Sequence, residues 1–442
     1  MSKPVIFVRS LAWASLYLAI AVSPLLLLAL PGDRPPKRSV AIEVGVGFGL
    51  VGYAMLGLQF LTTSRFRRIA PYFGSDAEVA FHRAAGIAAV TLVLAHPVIL
   101  LLANPNYAVY FDPRANLPRA AALTTVSVAL VLLIALSLWR TQFRLSYEWW
   151  RLSHAALAVV VIGIGMVHAL QVSHYVSGWW KQAAWVVGAV IPIGLLAHVR
   201  LVRPGRARTR PWRIVDVRAD THDTFHLILE PQDHAGMPFR GGQYAWLTLG
   251  ETPWTLQQHP FSFLSSAERS DRVEFGIKAM GDFTEKVAEY PPGTMAFLEG
   301  PYGSFAIDPH ADGVLFVVGG IGITPVLSIL ETCRDRGEQR PLMLVYANER
   351  ASEVAFVSRL ESLRSGLDLR VIDVLRVPPE DWSGESGYVT EELLDRCLDR
   401  LAAGDPQVMT CGPAPLMDIA EQAALRRGVP QHRIASERFD WI

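Results

Sequence analysis

The sequence has few cysteines, and none occurs in its first half. The three that are present, Cys333, Cys397 and Cys411, form no CxxC pair. This spacing excludes a disulfide framework. It fits a second half that is kept in a reducing cytosol.

Net charge is also absent, because 41 Lys and Arg balance 41 Asp and Glu. The two halves of the chain nevertheless differ in net charge. Residues 1–200 carry 16 basic and 6 acidic side chains, a net charge of about +10, and the remainder is about −10. Nothing in this distribution is typical of a nucleic-acid-binding surface. With a hydrophobic fraction of 51%, a basic apolar half and an acidic polar half indicate a membrane domain followed by a soluble one.

Long apolar segments fill the first half, and each is about long enough to cross a bilayer. The first could be a signal peptide, since Lys3 and Arg9 precede it. Five further segments, and the lack of a convincing cleavage site before Pro31, favour a membrane helix instead. The six predicted spans cover residues 10–30, 40–63, 82–103, 119–139, 152–172 and 180–201.

Arginine clusters predict the orientation of these spans. They follow the second, fourth and sixth segments, so all three are cytoplasmic if both termini are cytoplasmic. The basic first loop is an exception to this pattern. We expect a multi-pass protein of the inner (plasma) membrane whose soluble half is cytoplasmic. The third and fifth spans then run parallel.

Two histidine pairs with the same spacing lie in these parallel spans. His82 and His96 are fourteen residues apart, as are His154 and His168. In an α-helix this spacing corresponds to about 1400° of rotation and a rise of about 21 Å. Both rings of a pair therefore leave nearly the same face, near opposite sides of the bilayer. His82 should be level with His154, and His96 with His168.

The repeated pairs predict two metal centres within the membrane. A single membrane histidine is best explained by helix capping or by a hydrogen bond to a neighbouring helix. His174, expected in the outer loop, and His198, at the end of the sixth segment, are given no functional role. Two matched pairs favour a functional role, since ionisable side chains are costly in hydrocarbon. Zinc would require four ligands at one depth. Neutral imidazole is a common axial ligand of haem iron, so two bis-histidine haems fit better.

The second half begins after a short basic linker, Pro204 to Pro211. Alternating runs such as WRIVDVRA, TFHLILE and YAWLTL predict antiparallel strands of a small barrel. From Gly313, apolar strands such as GVLFVVGG and PLMLVYA alternate with helices, which indicates a parallel, doubly wound α/β sheet. The predicted domains are an all-α six-helix membrane bundle at 1–203, an antiparallel β-barrel at 204–308 and the α/β domain at 309–442.

Turn motifs follow the predicted strands. GGIGITP (Gly319–Pro325) and CGP (Cys411–Pro413) end two strands of the α/β domain, where small residues would let a diphosphate approach a helix N-terminus. The first is not the GxGxxG fingerprint. HPFS (His259–Ser262), GDFT (Gly281–Thr284) and GPYG (Gly300–Gly303) lie in the barrel half. Each has an ordinary turn explanation when taken alone, but their combination and order are specific.

This order of motifs resembles the ferredoxin–NADP reductase-type flavin module. Preceded by six spans with two histidine pairs, it resembles the NADPH oxidase/ferric reductase superfamily over nearly the whole chain. The chain has no EF-hand pattern and no long outer loop with a cysteine pair. Leu100 stands where some oxygen-reducing members carry a further histidine.

The resemblance implies a cofactor role for each motif. It implies that the flavin ring and ribityl chain lie along His259, Pro260, Phe261 and Ser262. It also implies that the FAD diphosphate is bound by Lys278, Gly281 and Thr284. For the nicotinamide dinucleotide it implies Gly319, Gly320, Gly322, Thr324, Pro325, Gly412 and Pro413, with Cys411 beside the nicotinamide.

Two further positions concern the dinucleotide and the flavin. Arg350 matches a position that often holds the 2′-phosphate, whereas Glu349 would disfavour it. We expect NADPH, with NADH possible. The aromatic ending implies that Phe439, or alternatively Trp441, shields the flavin until nicotinamide displaces it. Phe439 could instead be a core residue.

The resemblance implies electron transfer from cytosolic NADPH through FAD and two b-type haems to an extracytoplasmic acceptor. Oxygen giving superoxide is the first expectation, and a ferric-chelate reductase would use the same path. Two functions of a different class are the alternatives. A membrane-anchored flavin reductase would lack haem. A haem-bearing subunit that passes electrons to a periplasmic repair protein would usually have its flavin module on another chain. The expected partners are the lipid bilayer and a small acceptor, with no nucleic acid and no obligate protein partner.

Overall fold

The computed structural model describes residues 3–29, 38–62, 64, 75–401 and 404–438. The chain divides into two compact units, and it leaves the first, helical unit between Leu201 and Val202. The second, sheet unit contains two β-sheets.

The helical unit consists of apolar helices. They are α1 (Lys3–Ala29), α2 (Val40–Thr62), α3 (Ser75–Ala103), α4 (Leu117–Leu138), α5 (Tyr147–Val172) and α6 (Trp179–Ala197). Among the described residues, five helices are long and apolar enough to cross a bilayer, and these correspond to α2 through α6. Among the described residues, the apolar part of α1, Leu11–Leu26, is shorter. The structure thus contains the last five predicted spans.

The segment predicted as a linker after α6 is helical instead. A π-helical turn at His198–Val202 leads directly into α7 (Arg203–Arg208). Pro204 lies in the first turn of α7, where its missing N–H costs no intrahelical hydrogen bond and its fixed φ suits a helix. The side chain of Arg203 pairs with the carboxylate of Glu299 at 2.9 Å. This largely buried ion pair holds α7 against the antiparallel sheet.

The antiparallel sheet has the strand order β4-β3-β6-β1-β2-β5. Its alternating inward side chains, such as Trp212, Leu227 and Phe275, bury one core. The edge strands β4 and β5 are joined by an isolated bridge between Phe263 and Phe275. The antiparallel strands are confirmed, but a closed barrel is not shown. The strands are β1 (Trp212–Ala219), β2 (Thr224–Pro231), β3 (Tyr244–Leu249), β4 (His259–Ser262), β5 (Val273–Lys278) and β6 (Met295–Tyr302).

The second sheet is parallel, with the order β10-β9-β8-β7-β11-β12. Val314 and Phe316 of β7 pack on the core side that includes α8 and α9, whereas Leu315 and Val317 pack on the side of α10 and α11. Because alternate residues face opposite layers, the doubly wound α/β prediction is confirmed. The strands are β7 (Val314–Gly319), β8 (Leu342–Asn348), β9 (Leu369–Leu375), β10 (Glu385–Ser386), β11 (Gln407–Cys411) and β12 (Ile434–Glu437); the helices are α8 (Ile323–Asp335), α9 (Val357–Arg364), α10 (Glu391–Arg400) and α11 (Ala414–Arg426).

Candidate functional site

The helical unit brings the four spaced histidines together as two facing pairs. The ring centroids of His82 and His154 are 6.2 Å apart, and those of His96 and His168 are 6.4 Å apart. A metal bound to one nitrogen of each ring at about 2 Å would separate the centroids by about 6 Å. Both pairs therefore have the separation that one shared metal ion between two imidazoles requires.

Hydrogen bonds at Nδ1 determine which nitrogen could bind the metal. Nδ1 of His96 lies 2.8 Å from the carbonyl oxygen of Gly45. A carbonyl oxygen only accepts, so Nδ1 carries the proton and Nε2 keeps its lone pair. Such a second hydrogen bond is typical of metal-ligating histidine, because it fixes the tautomer and the ring orientation.

Hydroxyl groups fix the tautomer in the other pair. The Thr62 hydroxyl donates its proton to the Gln59 carbonyl at 2.9 Å, so it can only accept from Nδ1 of His82 at 3.1 Å. In the same way, the Ser137 hydroxyl donates to Leu133 at 2.7 Å and accepts from Nδ1 of His154 at 3.1 Å. Three of the four histidines thus present an unprotonated Nε2. The sequence reasoning did not identify these acceptors.

Glycines on one face of α2 make room for the His96 ring. A Cβ atom at Gly49 would lie 2.9 Å from Nδ1 of His96, and one at Gly45 would lie 3.1 Å from Ile99. Small residues four positions apart are the usual means of close helix packing in membranes. In the sequence, the run VGVGFGLVG contains this glycine spacing, which is typical of close helix packing.

A cavity of about 210 Å³ adjoins the second histidine pair and is lined by His96, His168 and Gly49. Arg38 and Tyr175 contribute polar lining. The Tyr175 hydroxyl donates a hydrogen bond to the Glu43 carboxylate. In the described part of the chain, no group of three or more His, Cys, Asp or Glu side chains forms a metal site. This arrangement suits haem, which needs only two axial protein ligands, better than zinc.

In the sheet unit, the HPFS and GDFT motifs converge. HPFS forms β4 itself, and the His259 ring stacks on Phe283 of GDFT at 4.4 Å between centroids. The buried Ser262 hydroxyl has no hydrogen-bond partner among the described residues. An orphaned buried hydroxyl on the same strand as His259 is compatible with a bound polar ligand.

The other predicted flavin residues lie close to these motifs. The Thr284 hydroxyl accepts hydrogen bonds from the Met280 and Gly281 backbone N–H groups, at 2.9 and 3.1 Å, and thereby shapes the turn. A Cβ at Gly281 would meet open space. Nζ of Lys278 lies 3.2 Å from the Asp223 carboxylate. Pro260 and Phe261 lie on β4, paired with Trp246 and Ala245 of β3.

The two nucleotide motifs meet at the carboxyl ends of β7 and β11. A Cβ at Gly322 would lie 2.3 Å from the carbonyl oxygen of Cys411, and one at Gly319 would lie 2.8 Å from Pro413. Gly320 has a φ of +51°, in the left-handed region that favours glycine. Strands β8, β9 and β10 extend the sheet on one side of β7, whereas β11 pairs with its other side. The motifs after β7 and β11 therefore lie at the sheet's topological switch point, where such folds bind ligands.

The remaining nucleotide residues are placed around this point. Thr324 and Pro325 are in the first turn of α8, and the Thr324 hydroxyl donates to the Ile321 carbonyl at 3.0 Å. Gly412 follows β11, and the Cys411 side chain is fully buried. A catalytic role for Cys411 therefore stays a prediction. Phe439 and Trp441 lie outside the described residues.

Arg350 and Glu349 follow β8, at the same edge of the sheet. The guanidinium of Arg376 makes two hydrogen bonds to the Glu349 carboxylate, of which the one from Nε is 2.5 Å long. These bonds and the charge of Arg376 hold the pKa of Glu349 below its ordinary value. The sequence analysis named Glu349 and Arg350 but did not identify Arg376.

Three family models match successive parts of the chain. The model described as "Ferric reductase like transmembrane component" matches residues 48–165, "FAD-binding domain" matches 210–306, and "Oxidoreductase NAD-binding domain" matches 316–422. The chain has the domain architecture of the NADPH oxidase/ferric reductase superfamily. The sheet unit thus contains a match to an FAD-binding domain and a match to an oxidoreductase NAD-binding domain, and the described part of the helical unit has five helices long and apolar enough to cross a bilayer.

Curated relatives match about half of this chain. The reductase component of propane 2-monooxygenase from Rhodococcus jostii is 30% identical over 237 residues, which cover 51% of this chain and 62% of that protein. A flavohemoprotein from Deinococcus radiodurans is 28% identical and covers 54% of this chain and 61% of its own length. This chain spans 62 to 66% of the length of the first curated relatives that it matches. The solved structure of Amycolatopsis cytochrome P450 reductase GcoB matches 52% of this chain and 69% of its own at 21% identity, with a TM-score of 0.46.

Proposed function

We propose that the protein is a transmembrane NADPH oxidoreductase with its flavin module on the cytoplasmic side of the inner (plasma) membrane. When bound, NADPH, FAD and two b-type haems would supply the redox chemistry: two-electron hydride transfer, conversion to single electrons, and passage of those electrons to an extracytoplasmic acceptor. The proposed domains are the haem domain at 1–203, the FAD domain at 204–308 and the NAD(P) domain at 309–442.

The observation that carries the proposal is the pair of facing histidine sites on parallel helices. His82 and His154 would hold one haem, and His96 and His168 the other. The Nδ1 hydrogen bonds of three of these rings leave Nε2 suited to ligate iron. The two sites are separated along α3 by fourteen residues, a rise of about 21 Å, which is most of the bilayer core.

The flavin and nucleotide residues would bind and orient their cofactors rather than transfer protons. Stacked His259 and Phe283 and the orphaned Ser262 hydroxyl support a flavin at β4. The contact between Gly322 and Cys411 supports a dinucleotide at the switch point. We propose that Phe439 shields the flavin and that Cys411 lies beside the nicotinamide.

Oxygen, reduced to superoxide, is the proposed acceptor. Two histidines per iron leave no open coordination position, so an acceptor would take its electron at the haem edge. The cavity lined by His96, His168 and Arg38 would hold the second haem itself, and the acceptor would approach the edge of that haem. A ferric chelate would use the same route. Superoxide-dismutase-sensitive cytochrome c reduction would identify oxygen, and colour from an Fe(II) chelator would identify ferric iron.

The proposal is tested with His96→Ala and His168→Ala in the full-length protein, with His198→Ala as the control. We expect the first two variants to lose acceptor reduction while NADPH still reduces their flavin, and the control to retain both. If His96→Ala passed electrons to the acceptor at the wild-type rate, the ligand assignment would be wrong.

A further inference from the structure

Helix α8 is hydrogen-bonded to the loop that follows strand β4. The loop begins directly after the HPFS motif, and α8 begins within the Gly319–Pro325 turn. Three α8 side chains at positions i, i+3 and i+4, which share one helix face, contact the loop backbone. The Ser328 hydroxyl donates to the Ser265 carbonyl at 2.7 Å, the Ser266 N–H donates to Oε2 of Glu331 at 3.2 Å, and the Ala267 N–H donates to the Thr332 hydroxyl at 2.9 Å. The helix that carries the proposed dinucleotide turn is therefore fixed to the loop that continues the proposed flavin strand.

Glu331 makes a second contact that reaches the antiparallel sheet. Its Oε1 accepts a hydrogen bond of 2.8 Å from Nε of Arg359 on α9. Nη2 of the same guanidinium donates to the carboxylate of Glu274 on β5 at 2.7 Å. All three side chains are largely buried, and hydrogen bonds between ionised groups are among the strong ones. Both oxygens of Glu331 are thus engaged, one by the loop and one by the guanidinium that joins α9 to β5.

Close backbone packing leaves α8 little room to move at this contact. A Cβ at Gly241 would lie 2.9 Å from Cα of Ile329, and a Cβ at Gly242 would lie 2.9 Å from Cδ1 of the same residue. Close-packed interiors transmit a displacement rather than absorb it. A change at Glu331 should therefore move α8 as a unit.

The length of α8 explains why its position matters for the reaction. Nine residues separate Gly322 from Glu331, a rise of about 14 Å. Reacting atoms must come within about 3–3.5 Å of each other, and a displacement of about 1 Å caused by a distant substitution can slow a reaction about 100-fold. A small tilt of α8 would move the dinucleotide turn relative to β4 without removing any group that binds the nucleotide.

We propose that Glu331 is a positioning residue for hydride transfer. Through Ser266 and Arg359 it fixes α8, and with it the Gly319–Pro325 turn, relative to β4. In the step concerned, the C4–H bond of the nicotinamide breaks and that hydride bonds to N5 of the flavin, so the nucleotide loses two electrons and the flavin gains them. The inference rests on the proposed flavin and dinucleotide sites, and it is independent of haem and of the acceptor.

Anaerobic rapid mixing of the full-length protein with NADPH tests this role, because flavin reduction needs neither haem nor acceptor. The NADPH dissociation constant and the limiting rate of flavin reduction are measured separately for Glu331→Gln. The single amide oxygen of Gln replaces only one of the two carboxylate oxygens as an acceptor. Glu268→Gln is the control, because Glu268 also joins this loop to the end of α8, through Arg336, but in an exposed pair.

The proposal predicts that rate and affinity respond differently. In Glu331→Gln the limiting rate should fall about 10- to 100-fold, whereas the NADPH dissociation constant should change by less than about threefold. The charge-transfer absorbance that reports stacking of nicotinamide on flavin should weaken in the same variant. Amide hydrogen exchange of residues 263–268, measured without nucleotide, should become faster. Glu268→Gln should leave the rate, the dissociation constant and the absorbance unchanged.

Thr332→Val provides a second variant in case Glu331→Gln does not fold. It keeps the side-chain volume but removes the acceptor of the Ala267 N–H. Since this bond belongs to the same contact, Thr332→Val should also lower the limiting rate more than it weakens NADPH binding.

Two results would overturn the proposal. A wild-type limiting rate per bound flavin in both variants would leave Glu331 a structural residue only, even if flavin content or stability fell. A raised NADPH dissociation constant with an unchanged limiting rate would assign Glu331 to nucleotide binding instead. If NADPH did not reduce the wild-type flavin, the proposed function itself would fail, which is a separate result.

Discussion

Nδ1 of His96 on α3 donates a hydrogen bond of 2.8 Å to the backbone carbonyl of Gly45 on α2. This contact fixes the orientation of an imidazole that would otherwise rotate in its cavity, and it determines the protonated nitrogen. The hydroxyls of Thr62 and Ser137 do the same for His82 and His154. The two proposed haem sites thus differ in the hydrogen-bond acceptors behind their histidines.

Removing the hydroxyl acceptors should change one haem selectively. In Ser137→Ala, the His154 imidazole loses its hydroxyl acceptor and becomes a weaker donor to iron. Thr62→Val removes the hydroxyl acceptor of His82, which keeps a backbone hydrogen bond to Gln59. We expect the midpoint potential of the haem between His82 and His154 to rise, and its affinity to fall about 10- to 100-fold. Spectroelectrochemical titration measures both haems in one sample.

The control for this change is Thr91→Val. Thr91 lies on α3 with its hydroxyl bonded to Ile87 of the same helix, at 2.8 Å, so its loss should leave both potentials unchanged. Equal shifts of both haems in Thr62→Val would show that the hydroxyl does not act through His82.

A side chain at Gly49 should disturb the other haem. A Cβ there would lie 2.9 Å from Nδ1 of His96, so Gly49→Ala must displace the ring, at a cost of about 1–3 kcal/mol. We expect lower haem occupancy at this site and a lower thermal midpoint in detergent. Gly163→Ala is the control, because its Cβ would meet no atom within 4 Å. If both variants retained haem equally, close packing at Gly49 would not matter.

The contact between the Gly319–Pro325 turn and the Cys411–Pro413 turn should be equally sensitive to an added side chain. Gly322→Ala would place a methyl group 2.3 Å from the Cys411 carbonyl oxygen, which a backbone atom cannot easily avoid. We expect the NADPH dissociation constant to rise at least about tenfold, with stability reduced by about 1–3 kcal/mol. Gly205→Ala, which makes only an ordinary contact with Trp254, should be neutral. Unchanged NADPH binding in Gly322→Ala would separate this turn from the dinucleotide.

A buried ion pair should make the sheet unit sensitive to acid. Burial raises the pKa of Glu274, but the His226 hydrogen bond and the charge of Arg359 outweigh it and lower the pKa from 4.5 to about 2. Stabilisation from this lowered pKa is complete above pH 4.5, about 3 kcal/mol, and is lost as the pH falls from 4.5 to 2. Glu274→Gln should therefore be less stable at pH 7, and the difference should shrink in that window.

Unfolding followed by flavin release over a pH series measures this effect. Glu230→Gln is the control, because Glu230 is half-exposed and its carboxylate lies 3.8 Å from the guanidinium of Arg272. An exposed pair of this kind contributes little. A stability difference between wild type and Glu274→Gln that stayed constant from pH 7 to pH 2 would show that the lowered pKa of Glu274 does not stabilise the sheet unit.

The sequence allowed prediction of features that depend on a fixed period or on neighbouring residues. Helical periodicity and the predicted parallel orientation of the third and fifth spans indicated which histidines would face each other. Strand patterns such as WRIVDVRA and GVLFVVGG predicted β1 and β7 to within a residue. The sequence did not predict α7, because Pro204 and Gly205 are typical of a linker. Proline is nevertheless acceptable in the first turn of a helix. Strand β12, which is only four residues long, has too short a pattern to recognise.

Contacts between distant segments could not be predicted in the same way. Thr62 reaches His82 from another helix, and Ser137 reaches His154 from α4, so neither follows from the spacing within α3 or α5. Arg376 meets Glu349 only because β8 and β9 are adjacent and in register. Such pairings depend on tertiary packing, which a single sequence does not specify.

The central claim is tested most directly by the visible spectrum of the detergent-purified protein, before and after NADPH is added without oxygen. We predict about two b-type haems per FAD and nearly complete haem reduction, with sharp reduced bands. A flavin spectrum without haem bands would contradict the assignment of the four histidines and would leave a membrane-anchored flavin reductase.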